Sequence, residues 1–226
     1  MELMLDTANL EQLKYYLDVY PICGITSNPS ILKKEGSIDF FEHMKQVKEL
    51  AGTNRSVHIQ VITENCEDII KEAEKILEVV GKDTYIKIPV TEQGIKAMKQ
   101  LSEKGVNITA TAVYTTLQGM LAILAGAKYV AVYYNRMQNI DIDSNKVIHE
   151  LSEIVNKNGF DCRIISASFK NIGQIVQAFC NGAHSATVPP ELLTEGLSMP
   201  SIQKAVTDFK NDWETIHGEN STILNI

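Results

Sequence analysis

The feature that most constrains this chain is a regular alternation of short, β-branched runs with amphipathic segments, carried through its whole length. The strand-like runs are Leu3–Asp6, Gly24–Asn28, Val57–Ile62, Thr84–Val90, Asn107–Val113, Tyr129–Tyr134, Arg163–Phe169 and Ser185–Pro189, eight in all. Between them, apolar residues recur at helical spacing and the ends carry capping chemistry. Asn65 opens a segment that stops at Gly81, Thr91 opens one that stops at Gly105, and Gly159 closes another. Strands separated by helices run parallel, because a crossover of helix length is what returns the chain to the same end of a sheet. Eight units predict an α/β protein of the (β/α)8 TIM-barrel type, and 226 residues lies toward the small end of that fold's range. The competing arrangement is an open, doubly wound sheet. It uses fewer strands and a glycine-rich first turn, and Asp6-Thr7-Ala8-Asn9 is not one.

No Pro/Ser-rich tract or charge block divides the chain, so residues 1–226 are expected to form a single domain. Past the eighth strand comes an extra C-terminal helix, Ser201–His217, with Ile202, Val206, Phe209, Trp213 and Ile216 at helical spacing. That stripe is expected either to pack within the chain or to meet another subunit. A formal charge of -7 with no Lys/Arg block argues against a nucleic-acid or anionic-membrane partner. No apolar run approaches a membrane span, and Met1–Asp6 lacks the basic and apolar regions of a secretory leader. Four dispersed cysteines without a CxxC pair read as reduced thiols of a cytoplasmic protein. The five histidines show no paired ligand spacing, so neither a metal nor another cofactor is expected.

Strand alternation sends successive side chains to opposite faces, so one face of each run can be read off. The apolar face carries Leu3 and Leu5, Ile25, Val57 and Ile59, Ile86 and Ile88, Ile108 and Ala110, and Val130 and Val132. The other face carries Asp6, Thr26 with Asn28, His58 with Gln60, Lys87, Thr109 with Thr111, Ala131 with Tyr133, and Ser166 with Ser168. A packed core would favour Val or Ile at such positions, and polar groups near the C-terminal ends of seven strands are what a barrel active site is built from.

Lys87 is the sharpest of these. It sits in Tyr85-Ile86-Lys87-Ile88-Pro89-Val90, where a charged ammonium is costly. Such a lysine is either a strand-end partner of a carboxylate or, in an enclosed space, a neutral amine able to form a Schiff base. With Asp6 and Tyr133 to move protons, and Gln60 and Thr111 to hold the water that is eliminated and returned, the set suits imine chemistry at a ketone. Arg136 and Lys170 follow the sixth and seventh strands and can make a cationic pocket for a phosphate.

The segments Leu5-Asp6-Thr7-Ala8, Gly24-Ile25-Thr26-Ser27-Asn28-Pro29-Ser30, Ile86-Lys87-Ile88-Pro89-Val90-Thr91, Thr111-Ala112-Val113-Tyr114, Tyr133-Tyr134-Asn135-Arg136 and Ala167-Ser168-Phe169-Lys170 resemble the small transaldolase-like class I aldolases. Within them the chain is most similar to the fructose-6-phosphate aldolases. The resemblance implies a TIM barrel in which Lys87 is the Schiff-base lysine, Asp6 the acid/base group, Asn28 a contact to donor hydroxyls, and Arg136 with Ser168 the phosphate site. Thr26, Ser166, Ala131 and Lys170 are expected to line the substrate pocket. The implied substrates are sugar phosphates, and the implied assembly is a homo-oligomer, a pentamer or decamer, with the last helix against a neighbour. Transaldolases of the family carry Glu at the position of Gln60, Phe at that of Tyr133, Asn near Thr109 and Ser at Ala131, so these four positions lean toward the aldolase. Val132 and Tyr134 depart from the pattern, which has proline and a small residue there.

Overall fold

A computed structural model describes residues Met1–Ile226. Eight parallel strands close into a barrel in sequence order, with β8 returning to pair with β1. They are β1 (Glu2–Asp6), β2 (Gly24–Thr26), β3 (Ser56–Gln60), β4 (Tyr85–Pro89), β5 (Ile108–Val113), β6 (Tyr129–Tyr133), β7 (Arg163–Ala167) and β8 (Ser185–Val188). The helices that cross between them are α1 (Leu10–Val19), α2 (Pro29–Leu32), α3 (Phe40–Ala51), α4 (Cys66–Val79), α5 (Glu92–Glu103), α6 (Thr116–Leu124), α7 (Tyr134–Gln138), α8 (Ser144–Asn158) and α9 (Ile172–Cys180). A 3-10 turn, Lys33–Glu35, follows α2. Two compact units are distinguished, Met1–Pro190 with the barrel and Glu191–Ile226 with the last two helices.

The sequence sets these elements locally. Asn9, Asn28, Asp39, Asn65, Thr91, Thr115, Asp143 and Asn171 each accept a hydrogen bond from the backbone N–H three residues on, starting α1 to α6, α8 and α9. Each such cap is worth about 1 kcal/mol. The helix-covered face of the barrel is dry: Leu5, Ile25, Ile59, Ile86, Ile88, Val130 and Ile164 are fully buried, as alternation predicts. Gly94 lets α5 cross the end of β4, since a Cβ there would lie 2.0 Å from the Pro89 carbonyl oxygen.

Six strands end one or two residues earlier than their apolar runs suggest, and in β2, β7 and β6 the reason is visible in the backbone. β2 stops at Thr26, because Asn28 turns out of the ladder to cap α2. β7 stops at Ala167, since Ser168 adopts a left-handed φ of 65°. β6 gives way at Tyr134 to α7. β5 carries a bulge: its register against β6 slips between Ala110 and Val113, and Ala112 has φ 58°. A left-handed alanine stores strain, and bulges of this kind re-aim neighbouring side chains.

The second unit holds all but the first residue of α10 (Pro190–Leu197), and the whole of α11 (Pro200–His217). α11 begins at a proline in its first turn, the position where a missing N–H costs nothing. None of its residues is buried, and Phe209 and Ile216 are 71% and 75% exposed. Within this unit Trp213 stacks on His217 with ring centroids 4.3 Å apart. No helix in the chain is long and apolar enough to cross a membrane.

Candidate active site

The C-terminal ends of the strands bring the expected residues together. Lys87 on β4 is 4% exposed and donates a hydrogen bond to the Ser27 carbonyl at 2.8 Å, its one such bond. In register with it lie Gln60 on β3 and Thr109 on β5. Burial lowers the pKa of the Lys87 amine from the usual lysine value, opposed by the Asp6 carboxylate. Asp6, at the end of β1, accepts from Thr26 Oγ1 at 2.6 Å, and Thr26 in turn meets Thr187 Oγ1 at 2.7 Å. Burial pushes the Asp6 carboxyl upward, against the downward pull of Lys87, the Thr26 hydrogen bond, Lys34 and Arg136.

On the opposite side of the mouth, Thr111 Oγ1 and the Tyr133 hydroxyl are 3.0 Å apart. Burial raises the Tyr133 pKa, with the Thr111 hydrogen bond and Arg136 opposing. The Arg136 guanidinium lies 4.8 Å from the centre of the Tyr133 ring, a cation–π arrangement. Arg136 and Lys170 make no ion pair, whereas surface lysines such as Lys71 and Lys157 pair with Asp68 and Glu153. Two cations left unpaired beside the left-handed Ser168 form a mouth suited to an anionic group. Clefts of about 460 and 710 Å³ open on the β3 side, and both are bounded by Pro29 and Gln60, whose buried Oε1 has no hydrogen-bond partner.

Not every expected residue reaches this face. In β7 the inward residues are Ile165, packed with Met4, Tyr129 and Ala131 on the barrel floor, and Ala167, beside Tyr133 in register. Ser166 lies beside Val132 and therefore points outward, under the helices. The reason is phase: Ser168 and Ser166 share a face only if the strand continues, and the left-handed turn at Ser168 breaks the alternation between them. Asn28 reaches the mouth from the β2 loop rather than from the strand, with its Oδ1 committed to Ile31 N at 3.0 Å. Tyr134 is 2% exposed and donates to Asn145 Oδ1, packing under the site rather than crowding it.

Two contributors, Thr187 and Gln174, were not singled out from the sequence, and a third, His58, was placed on the inner face without a role. Thr187 completes the Thr26–Asp6 chain, and alternation along β8 would have found it. Gln174 joins the two cationic loops: its Nε2 donates to Asn135 Oδ1 and Gln138 Oε1, and its Oε1 accepts from Lys170 N at 2.8 Å. No local pattern marks a helix residue for that task. His58, fully buried beneath Lys87, has both ring nitrogens engaged, and burial with the nearby Lys87 charge pushes it down to about 3.

Fold and mouth together define a (β/α)8-barrel protein with a lysine-centred interior site. The chain belongs to the transaldolase/fructose-6-phosphate aldolase family, whose model matches residues 3–222. It is 49% identical to a probable fructose-6-phosphate aldolase of Streptococcus pneumoniae over 221 residues, covering 98% of this chain and 100% of that one. It is 37% identical over 214 residues to a probable transaldolase of Clostridioides difficile, covering 95% and 97% of the two chains. A probable transaldolase of Symbiobacterium thermophilum is 34% identical over 218 residues, covering 96% and 99%.

Proposed function

We propose that the protein is a class I aldolase that cleaves and forms fructose 6-phosphate through an imine on Lys87. The observation that carries this reading is the dry Lys87 amine, held by the Ser27 carbonyl within electrostatic reach of Asp6. A lowered lysine pKa leaves a larger fraction of neutral, nucleophilic amine. The amine adds to the C2 ketone, and Asp6 protonates the departing carbinolamine oxygen, which leaves as water held by Gln60 and Thr111. The iminium draws electrons from the C3–C4 bond while Asp6 removes the C4 hydroxyl proton. Glyceraldehyde 3-phosphate leaves, its phosphate having been held by Arg136, Ser168 and Lys170. Tyr133 then protonates the enamine, and water returns to release dihydroxyacetone and the free amine. No step of this proposed sequence calls on a metal or cofactor.

The decisive experiment is reduction with borohydride in the presence of dihydroxyacetone. A stable adduct on Lys87, located by peptide mass mapping, is the expected result, and its absence overturns the imine reading. A second reading, transaldolase, is favoured by the relatives named as probable transaldolases. The phenol at Tyr133, hydrogen-bonded to Thr111, supports the aldolase, because it supplies a proton to the free enamine. Formation of fructose 6-phosphate from free dihydroxyacetone and glyceraldehyde 3-phosphate is expected. Turnover only when a ketose phosphate is paired with erythrose 4-phosphate would reverse the assignment.

We further propose a homo-oligomer with α11 at the subunit contact, supported by the exposed apolar stripe of that helix. The pentamer or decamer is what the family resemblance implies, and the cytoplasm is what the dispersed, unpaired cysteines suggest. Light scattering on Phe209→Asp tests the subunit contact, with a smaller particle expected.

A further inference from the structure

Below Lys87 the barrel encloses a polar arrangement that the proposed reaction does not use. His58 is fully buried, one inward position before Gln60 on β3, and therefore one layer under the Lys87 amine. Its Nδ1 meets Thr109 Oγ1 at 2.7 Å and its Nε2 meets Ser56 Oγ at 2.9 Å. The ring is stacked on Tyr85 with centroids 4.6 Å apart, and set edge-on to Tyr129 at 5.1 Å. Every degree of freedom of the imidazole is thus fixed by strands β3 to β6.

Thr109 is the link to the site. It is fully buried and lies beside Lys87 in the β4–β5 register, while its hydroxyl is committed to His58. A buried hydroxyl must find a partner. Its partner here is on the floor, and the amine of Lys87 has the Ser27 carbonyl as its one acceptor. We propose that His58 is a positioning residue: it holds the Thr109 hydroxyl down on the barrel floor, away from the Lys87 amine, and so keeps a second hydrogen-bond acceptor from the ammonium form. This deepens the imine reading, on which its importance for turnover rests.

The consequence concerns the protonation of Lys87. An acceptor beside the amine stabilises its charged form, and a charge on the floor would do the reverse. His58 supplies neither, because burial keeps it neutral at ordinary pH. The other titratable groups in the barrel interior are Asp6 from β1, Tyr85 on β4 itself, and Tyr129 and Tyr133 from β6, with the thiols of Cys23 and Cys162 near Tyr129 at the floor, both held protonated by burial, and Arg136 and Lys34 at the mouth. β2, β5 and β8 present only hydroxyls to the interior at this level, Thr26, Thr109 and Thr187, while Arg163 of β7 is at the far end, paired with Glu2.

The test reads Lys87 without any substrate. The 13Cε resonance of Lys87 in 13C-lysine-labelled protein, assigned by its loss in Lys87→Met, is titrated in the wild type and in variants. In His58→Phe the ring and its stacking remain and the hydrogen bond is lost. The midpoint is expected to rise by about one pH unit, leaving roughly tenfold less neutral amine at pH 7. Adding Thr109→Val to His58→Phe removes the freed hydroxyl and is expected to return the midpoint toward the wild-type value. His58→Asn, whose amide can occupy the place of Nδ1, should keep it there, and His58→Gln, which reaches only toward Ser56, should raise it. These two variants decide the matter should His58→Phe fail to fold. An unchanged midpoint in His58→Phe, a double variant that stays with the single one, or equal midpoints for His58→Asn and His58→Gln would each overturn the proposal. Failure of the borohydride trap would instead strike the imine reading and leave this titration intact.

Discussion

Thr111 Oγ1 and the Tyr133 hydroxyl stand 3.0 Å apart across the pair of strands whose register slips, next to the left-handed Ala112. The bulge in β5 aims Thr111 toward the phenol at the rim, while Thr109, two residues earlier, is aimed at His58 below. One strand therefore serves two levels of the barrel, and the strained residue lies just past the second of them.

Tyr133→Phe removes the phenolic proton and leaves the ring on which Arg136 rests. Aldol cleavage is expected to fall roughly 10²-fold, the lower range for losing a general acid. Transfer to an aldehyde acceptor should fall far less. The ratio of free dihydroxyacetone release to transfer, measured on one preparation, checks this, and an unchanged ratio removes Tyr133 from the protonation step.

Lys87→Met trades a desolvated amine for an apolar side chain of similar length. Activity and the borohydride adduct are expected to vanish while stability rises by about 1 kcal/mol, the loss of the Ser27 contact offsetting part of the gain. Denaturant unfolding of both proteins at pH 7 measures the difference. A less stable variant would mean that the amine is held by more than its one hydrogen bond.

Gln174→Ala unties α7 from the loop at Lys170 without touching either cation. The KM for fructose 6-phosphate is expected to rise roughly tenfold, about 1.4 kcal/mol, with little change in kcat. Steady-state kinetics give the split, and inorganic phosphate as a competitive inhibitor should weaken in parallel.

His58 also predicts a pH dependence of stability. Its folded pKa, pushed down to about 3, lies below the ordinary histidine value of 6.5, so between these values the unfolded chain binds the extra proton. Stability therefore falls as pH drops through that window, by up to about 1.4 kcal/mol per pH unit. Asp6 acts in the opposite sense just above 3.8, because its folded pKa is raised. Chemical denaturation at pH 7, 6 and 5 should show the decline, and His58→Phe should make it shallower, leaving the part contributed by the half-buried His184, whose pKa burial also lowers.

The barrel was legible because its signals are local. β-branched runs, Asn, Asp and Thr caps and the Gly159 stop are fixed by residues within one turn of each other, and all eight strands and the helices capped by Asn65 and Thr91 fall where those signals put them. Alternation then brought Asp6, Thr26, Gln60, Lys87, Thr111, Ala131 and Tyr133 to one face, since a regular strand keeps its phase. Only the tertiary structure could decide where that phase is broken. The left-handed turn at Ser168 leaves Ser166 outside, and the exit at Thr26 makes Asn28 a cap. It alone paired His58 with Thr109, 51 residues away, and Gln174 with the loops of Arg136 and Lys170. Such contacts depend on barrel closure and register, which bring distant hydroxyls, amides and rings within 3 Å of each other with no trace in the spacing of either partner.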